Sequence, residues 1–373
     1  MEFPTLYGMP SRGDKVKEWS IRVNDLHPVL IECAYGYVGG KISISRREVA
    51  KGKNIGKSNE TTPLEQAIAE AKSKWKKQKE AGYTESPDGC SKTMLPMLAH
   101  DFTKRHHDIC STFALQPKID GVRLLAQIGP EGVIFTSRTG KRMLNLEHIA
   151  QDLLANNVFY DESVVLDGEL FTPDLPFEEI SGLFRSTKLN PTKTGRMKLL
   201  RFHVFDSFFI DQRANLTFVE RYHTLEPHIK NCRYTKYVHT TFYNKPKGEL
   251  TDIVRAVHNK YVQQGYEGLM IRNVESLYKC GYRSKDLQKY KEFIDQEFAI
   301  VGGDEATGED KGTVIFKCET DNGDVFAVRP RGSRELRKQM LSSLDSYIGQ
   351  KLTVRYQNMT ENDVPRFPVG ISI

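Results

Sequence analysis

The chain has 373 residues, of which 39% are hydrophobic and 27% are charged, and its formal net charge at pH 7 is +6. This length allows two or three domains with separate cores, and the composition is that of an ordinary globular protein. No stretch approaches the roughly 20 apolar residues of a membrane span, and the first residues lack the charged and apolar regions of a secretory signal. We therefore expect an intracellular protein, in a bacterial cytoplasm, an infected host cell or a nucleus, that is neither secreted nor membrane-bound.

The cysteines are scattered, with no C-x-x-C pair and no histidine nearby at the spacing of a metal site. Such a pattern is typical of free thiols in a reducing compartment and does not predict structural zinc. The mild positive charge favours polyanionic partners only where it is concentrated.

The first 92 residues are predicted to form a small separate α/β unit. Alternating apolar residues predict strands at Trp19–Val23, Val29–Tyr35 and Ile42–Ser45. The basic, glycine-containing segment Arg46–Lys57 predicts an exposed loop. A capping box with proline at the first helical position, Thr62-Pro63-Leu64-Glu65, predicts the start of a helix that stops near Gly82.

Basic charge is concentrated in this unit. From Lys41 to Lys79 there are eleven lysines and arginines against four acidic residues. A solvated helix face is one explanation of such a run and phosphate contact with nucleic acid is the other, which we favour. The candidate contacts before the helix are Lys41, Arg46, Arg47, Lys51, Lys53 and Lys57.

Residues 1–92 resemble the WGR-type domain of DNA-repair and chromatin proteins. The resemblance rests on the tryptophan strand, the glycine-rich turn Tyr35–Lys41 and a lysine-rich helix that ends at Gly82-Tyr83. Tyr35-Gly36-Tyr37 stands where that family has Trp-Gly-Arg, so the arginine of the family motif is absent. The resemblance implies an accessory DNA-binding domain.

A lysine, an acid, a glycine and an arginine lie close together in Gln116–Arg123, inside a segment whose flanks predict strands. Strand alternation sends Lys118, Asp120 and Val122 to one face, and Gly121 marks a bend or a close approach of the backbone to a ligand. A half-buried lysine beside other cations is a candidate nucleophile, because burial and like charge favour the neutral amine. The arginine matches phosphate oxygens bidentately, so the motif predicts phosphoryl chemistry. The alternative is an ordinary exposed lysine–aspartate pair on a strand edge.

Five further motifs follow in order along the chain. They are a strand leading into a basic turn, a buried strand ending in two acids, an aromatic strand, a strand opened by glutamate and a strand with alternating lysines: Phe135–Lys141, Val164–Leu170, Phe202–Asp206, Tyr266–Arg272 and Leu287–Phe293. With the first motif they read K-x-D-G-x-R, S-R-x-G-K, L-D-G-E, V-F-D, E-G-L-M-I-R and K-x-K. In this order the six motifs resemble the covalent nucleotidyltransferase superfamily, and most closely the ATP-dependent DNA ligases.

The last segment, 295–373, is predicted to be an OB-fold β-barrel. Short strands are predicted at Phe298–Val301, Gly312–Lys317, Val325–Val328 and Lys351–Tyr356, with one helix at Arg334–Leu344. The ending Val364–Pro368 resembles the terminal motif of ligase OB domains. The fold class expected for the whole chain is α+β multidomain: an α/β unit at 1–92, a nucleotidyltransferase domain of ATP-grasp-like antiparallel sheets with helices at 93–294, and the OB-fold domain.

The ligase resemblance implies a three-step reaction on nicked duplex DNA by a monomeric enzyme. Lys118 attacks the α-phosphorus of ATP and releases pyrophosphate, leaving lysyl-AMP. The AMP passes to the 5′-phosphate of the nick, and the 3′-hydroxyl then displaces AMP and closes the strand.

The same resemblance implies roles for single side chains. The catalytic residues are Lys118, Asp120, Arg123, Lys289 and Lys291. The contacts with ATP are Gln116 at the exocyclic amine, Phe205 on one face of adenine with Met270 or Ile271 on the other, and Glu169 and Glu267 at the ribose hydroxyls. The catalytic residues Lys118, Arg123, Lys289 and Lys291 also contact ATP. Glu169 and Glu267 are also the candidate ligands of Mg²⁺ or Mn²⁺. The phosphates of the nicked strand are expected at Arg123, Arg138 and Lys141.

Two other classes share parts of this pattern. RNA ligases and mRNA-capping guanylyltransferases have the lysine motif and the acids that follow, but Val364–Pro368 and E-G-L-M-I-R are more similar to DNA ligases. A non-enzymatic nucleic-acid-binding scaffold would have lost a reactive residue from at least one motif, and every motif retains its reactive residue.

Overall fold

The computed structural model describes residues 1–10, 15–89, 94–129, 132–156, 158, 164–209, 215–245, 247–360 and 362–373. The chain divides into two compact units, Met1–Tyr290 and Lys291–Ile373. The expected domain boundary between residues 92 and 93 lies outside the described residues. Within the described part, no helix is long and apolar enough to cross a membrane.

The N-terminal part of the first unit is an antiparallel sheet covered by one helix. Its elements are β1 (Leu6–Gly8), β2 (Lys17–Asn24), β3 (Leu30–Tyr37), β4 (Ser43–Glu48) and α1 (Pro63–Glu80), with sheet order β1-β2-β3-β4. Ile21 and Ile31 pack beneath Ala67 and Ala71 of α1. The predicted capping box is confirmed, because Thr62 and Glu65 bond reciprocally.

One prediction in this region was wrong. Arg46 and Arg47 were placed in a loop, but both lie on β4, where they pair in register with Glu32 and Ile31 of β3. Pairing with a neighbouring strand outweighs the loop-like composition of the segment, as tertiary context often does for short strands.

Two further sheets are built from the elements between residues 98 and 290. In chain order these are β5 (Leu98–Asp101), α2 (Phe102–Arg105), β6 (Thr112–Lys118), β7 (Val122–Gly129), β8 (Gly132–Ser137), β9 (Arg142–Met143), α3 (Glu147–Ala155), β10 (Val164–Phe171), α4 (Phe177–Arg185), α5 (Pro191–Met197), β11 (Arg201–Phe209), α6 (Phe218–Ile229), β12 (Thr235–Tyr237), β13 (Thr241–Asn244), α7 (Leu250–Gln263), β14 (Gly268–Asn273) and β15 (Arg283–Tyr290).

These strands form a six-stranded sheet, β12-β11-β10-β7-β8-β9, and a five-stranded sheet, β13-β6-β14-β15-β5. Neighbouring strands are antiparallel except for the parallel pairs β11–β12 and β15–β5. One face of the six-stranded sheet buries Leu124, Leu166 and Val204 in the core that contains α3 and α4. Strand alternation therefore leaves the neighbouring residues of β7, β10 and β11 on the opposite face.

The second unit is a closed five-stranded barrel. Its elements are β16 (Ile294–Glu305), β17 (Val314–Glu319), β18 (Val325–Pro330), α8 (Arg334–Ser342), β19 (Lys351–Tyr356) and β20 (Val369–Ser372), in barrel order β16-β17-β18-β20-β19. Phe298, Phe316 and Val354 lie in its core. The barrel and the two antiparallel-rich sheets with helices confirm the predicted fold class, although β20 was not among the predicted strands.

Candidate active site

Lys118 lies at the end of β6, opposite Gly268 at the start of β14. Its ammonium is paired with the carboxylate of Glu267, and both side chains are largely buried. The Glu267 amide donates to the Lys118 carbonyl at 2.9 Å, which continues the pairing of the two strands by one residue. The lysine motif and E-G-L-M-I-R are therefore brought together by strand pairing.

Three predicted side chains form a row across the five-stranded sheet. Gln116 of β6 is opposite Met270 of β14, and Met270 is opposite Lys289 of β15. Directly opposed residues share a face of a sheet, and Lys118 follows Gln116 by two residues on that same face. The row gives an amide, a thioether and an ammonium beside the nucleophile.

The side-chain amide of Gln116 is held in one orientation. Its nitrogen donates to the Phe205 carbonyl at 3.0 Å and to the Thr240 hydroxyl at 2.8 Å, and the side chain is buried. Both N–H groups are thereby used, so the carbonyl oxygen is the atom that can accept a hydrogen bond from an exocyclic amine. This orientation fits the predicted role.

A second row crosses the six-stranded sheet. Glu169 of β10 is flanked by Arg123 of β7 and His203 of β11. The pairing of β10 with β11 shifts register, because Asp167 is opposite Asp206 whereas Gly168 is opposite Val204. Phe205 is thus the extra residue of a β-bulge, a device that re-aims side chains beside active sites.

Arg123 contacts the ring of Phe205 and a buried acid. Its Nε and Nη2 donate to the two carboxylate oxygens of Asp167, each at 2.6 Å, and its guanidinium carbon lies 4.6 Å from the centre of the Phe205 ring. Two guanidinium nitrogens are therefore occupied by Asp167. The phosphate contact predicted for Arg123 stays a prediction, and Nη1 is the nitrogen that Asp167 does not occupy.

Glu169 is a half-buried carboxyl group among charged neighbours. Burial raises the pKa of Glu169 to about 7, and the opposing charges of Arg123 and Lys118 offset only part of that effect. A carboxylate that is shielded from water gains from a cation placed against it. Glu169 and Glu267 fit a hard divalent ion that completes its shell with phosphate oxygens and water. Among the described residues, no group of three or more metal-binding side chains occurs.

Gly121 lies where the chain passes between the two rows. A Cβ atom built at this position would be 2.4 Å from the backbone oxygen of Leu170 and 2.9 Å from Cγ of Glu169. The close approach expected at Gly121 is thus to the backbone of β10. Asp120, the residue before this close approach, is partly buried.

Three other predicted cations are not among the strand pairs that form these rows. Arg138 is exposed on the turn after β8, and Lys141 of the same turn lies 3.5 Å from Glu80 of α1. Lys291 is the first residue of the second unit, where its ammonium donates to Gln357 at 2.5 Å. The roles predicted for these three cations stay predictions.

The predicted DNA contacts of the N-terminal part differ in their surroundings. Arg46 donates to Glu32 at 2.6 Å, Arg47 pairs with Glu70, and Lys53 lies 3.7 Å from Glu70. The remaining candidates are exposed and make no ion pair within the described residues: Lys41, Lys51 and Lys57.

Several buried charges near the site were missed by the sequence interpretation. Asp206 accepts from Arg221 Nε at 2.9 Å and also pairs with Arg272, and all three side chains are buried. Asp167 and Tyr278 form a similar contact at 2.5 Å. Asp167, Asp206 and Arg272 lie inside the quoted motifs, where a charge within a buried strand was the available signal. Arg221 and Tyr278 lie outside them.

Comparisons with known proteins agree with this geometry. The sequence matches the ATP dependent DNA ligase domain at residues 96–291 and the DNA ligase OB-like domain at residues 311–373. It is 30% identical over 337 residues to the DNA ligase of an African swine fever virus isolate, and the alignment covers 86% of this chain and 78% of the viral protein.

Two solved structures share the fold. A Lig E DNA ligase has a TM-score of 0.59 and 22% identity, covering 74% of this chain and 98% of that chain. The structure named Pmar-Lig_Pre. has a TM-score of 0.63 and 20% identity, covering 82% of this chain and 70% of that chain. By its sequence matches and the paired motifs of its site, the chain belongs to the ATP-dependent DNA ligase family.

Proposed function

We propose that this ligase joins 5′-phosphate and 3′-hydroxyl ends at nicks in duplex DNA, as an intracellular monomer, with Lys118 as the residue that carries AMP. The observation that supports this proposal best is the position of Lys118. It lies beside Glu267, on the sheet face that also carries Gln116 and Met270, and Gln116 bonds to the backbone of Phe205. An amine, an acceptor for an adenine amine and two apolar faces meet there, as transfer of AMP requires.

The residues would act in sequence. Gln116, Phe205 and Met270 bind adenine and orient the α-phosphate toward Lys118. Lys289 and Lys291 neutralise the phosphates, which favours release of pyrophosphate. Arg123, Arg138 and Lys141 hold the phosphates of the nick, and Asp120 acts near the 3′-hydroxyl during strand closure.

A divalent metal ion fits the two carboxylates described above. Glu169 and Glu267 would hold Mg²⁺ or Mn²⁺, which when bound offsets negative charge on the triphosphate. Because Glu267 also pairs with Lys118, the position of its carboxylate affects both the nucleophile and the ion. We assign residues 1–92 to an accessory WGR-like DNA-binding domain, 93–294 to the adenylyltransferase domain and 295–373 to the OB-fold domain.

The test is covalent labelling by ATP carrying a radioactive α-phosphate, and in parallel by labelled GTP. The chain should retain label from ATP through denaturing electrophoresis, and acid but not alkali should release it, as expected of a phosphorus–nitrogen bond. Lys118→Ala should abolish labelling, whereas Lys260→Ala on the exposed side of α7 should label normally.

Three outcomes would contradict the proposal. Label from GTP alone would indicate a capping guanylyltransferase. Labelling with joining of nicked RNA but not of nicked DNA would indicate an RNA ligase. Labelling of Lys118→Ala at the wild-type level would show that another residue is the nucleophile.

A further inference from the structure

Arg123 is part of a closed ring of hydrogen bonds with Asp167, Tyr278 and Met97. Asp167 accepts from Arg123 through both carboxylate oxygens, and its Oδ2 also accepts from the Tyr278 hydroxyl at 2.5 Å. The Met97 amide donates to that hydroxyl at 2.9 Å, and Arg123 Nη2 donates to the Met97 carbonyl at 3.3 Å. Each of the four residues is thus bonded to two others in the ring.

Tyr278 is held firmly within this ring. Its aromatic ring stacks on Phe208 with centroids 4.4 Å apart, and the guanidinium of Arg221 lies 5.6 Å from the ring centre. Burial raises the pKa of Tyr278 well above its ordinary value, with the charge of Asp167 adding to the effect, so the hydroxyl keeps its proton. The hydroxyl therefore donates to Asp167 and accepts from Met97 at the same time.

The ring determines where the guanidinium of Arg123 lies. Asp167 fixes two nitrogens of Arg123, and the Arg123 guanidinium then lies against the Phe205 ring. Phe205 is the extra residue of the bulge, so it has no partner in the pairing of β10 with β11. Removing the Tyr278 hydroxyl would leave the buried Met97 amide without its acceptor and Asp167 with one donor fewer. Buried polar groups that are deprived of a partner rearrange to regain one, so Asp167 and Arg123 would shift together.

We propose that Tyr278 is a positioning residue for nucleotide binding: acting through Asp167 and Arg123, it holds the Phe205 ring in the orientation that stacks on adenine. This inference rests on the proposed function, because it takes Phe205 as the adenine contact. The hydroxyl of Tyr278 bonds to Asp167 and Met97, which are not among the proposed ATP contacts. Its effect on the nucleotide is therefore transmitted through the ring of hydrogen bonds.

The experiment measures the rate of lysyl-AMP formation against ATP concentration in the full-length chain. Tyr278→Phe keeps the stacked ring and removes only the hydroxyl. It should raise the half-saturating ATP concentration by about fivefold to tenfold and change the maximal rate by less than about twofold. The matched control is Tyr237→Phe, which removes the hydroxyl of another half-buried tyrosine that donates to a backbone carbonyl, that of Tyr222, at 2.9 Å. The control should leave both parameters unchanged.

A double variant separates positioning from general loosening of the fold. Arg123→Lys cannot make the paired contacts with Asp167, so adding Tyr278→Phe to it should have no further effect on the half-saturating concentration. Thermal unfolding of each variant sets a working temperature at which all are folded. The inference would be overturned if Tyr278→Phe had the half-saturating ATP concentration of the wild-type chain. It would also be overturned if the double variant showed the product of the two single effects on that concentration. Absence of any adduct in the wild-type chain would instead contradict the proposed function.

Discussion

The amide of Gln116 connects the two sheets at the proposed adenine site, since it lies on β6 and donates to the backbone of β11. We predict that Gln116→Ala raises the half-saturating ATP concentration by about tenfold, because the acceptor for the adenine amine is removed. The sharper measurement compares ATP with purine riboside triphosphate, which lacks that amine. The wild-type enzyme should prefer ATP and Gln116→Ala should not, whereas a retained preference would place the amine elsewhere.

Arg138 is predicted to contact the nick and not ATP. Arg138→Ala should form lysyl-AMP at nearly the normal rate but join nicked duplex about tenfold to 100-fold more slowly, as expected when a charge-assisted bond to phosphate is removed. Arg142→Ala, an exposed arginine of the same hairpin, is the control. Equal loss of adenylylation and joining would assign Arg138 to the ATP site.

His203 makes stability depend on pH. Burial lowers the pKa of His203 from 6.5 to about 4, with the charges of Arg201 and Lys236 adding to the effect. As the pH falls, the unfolded chain therefore binds the proton before the folded chain does. The contribution of neutral His203 to the free energy of unfolding is complete above pH 6.5 and decreases by about 3 kcal/mol as the pH falls toward 4. Urea unfolding at a series of pH values should show this fall in the wild-type chain and a smaller one in His203→Phe. Parallel curves would contradict the assignment.

At the scale of elements, the packing of the β6–β7 connection against β10 depends on a residue without a side chain. Gly121→Ala would drive a methyl group against the Leu170 carbonyl, so we predict a loss of about 1–3 kcal/mol in unfolding free energy and slower adenylylation. Gly182→Ala in α4 is the control, since a Cβ atom there meets nothing within 4 Å. Alanine in a helix should be neutral or stabilise by up to about 1 kcal/mol. Equal effects of both substitutions would show that the close approach at Gly121 is unimportant.

The sequence was informative where one strand carries its own signal. Lys118, Glu169 and Phe205 could be proposed because each lies in a short motif within an apolar strand, and the capping box identified the start of α1 without any tertiary information. Tyr278 was missed because its bond to Met97 joins residues 181 positions apart. β20 was missed because a strand of four residues is specified by its neighbours in the barrel more than by its own pattern.

At the scale of the whole molecule, fewer basic side chains of the N-terminal part are available to bind phosphate than its composition suggests. Arg46 and Arg47 are paired with acids, which leaves the exposed lysines before α1 as the candidates for phosphate binding. We predict that a triple substitution of Lys41, Lys51 and Lys57 by glutamine weakens binding of nicked DNA and flattens its salt dependence. The slope of log affinity against log salt should fall by up to about 0.9 for each phosphate that the variant no longer neutralises.

The control for this prediction is Arg46→Gln, which removes a charge that Glu32 already offsets and should change the slope less. Lysyl-AMP formation should be spared in both variants, because the substituted residues lie outside the ATP site. An unchanged slope in the folded triple variant would remove the DNA-binding role and leave this part as a spacer or a protein-binding module.

The extra residue of β11 lengthens that strand without changing its faces. His203 and Asp206 are three positions apart, whereas their partners Glu169 and Asp167 are two positions apart, so the extra residue keeps both halves of β11 in phase with β10. Deleting Phe205 would give a regular ladder in which His203 and Asp206 stay opposite Glu169 and Asp167, so the faces of the strand would be kept and only the bulge and its aromatic residue would be lost. Shortening β11 at this point would therefore leave the two strands paired but remove the ring that is proposed to stack on adenine.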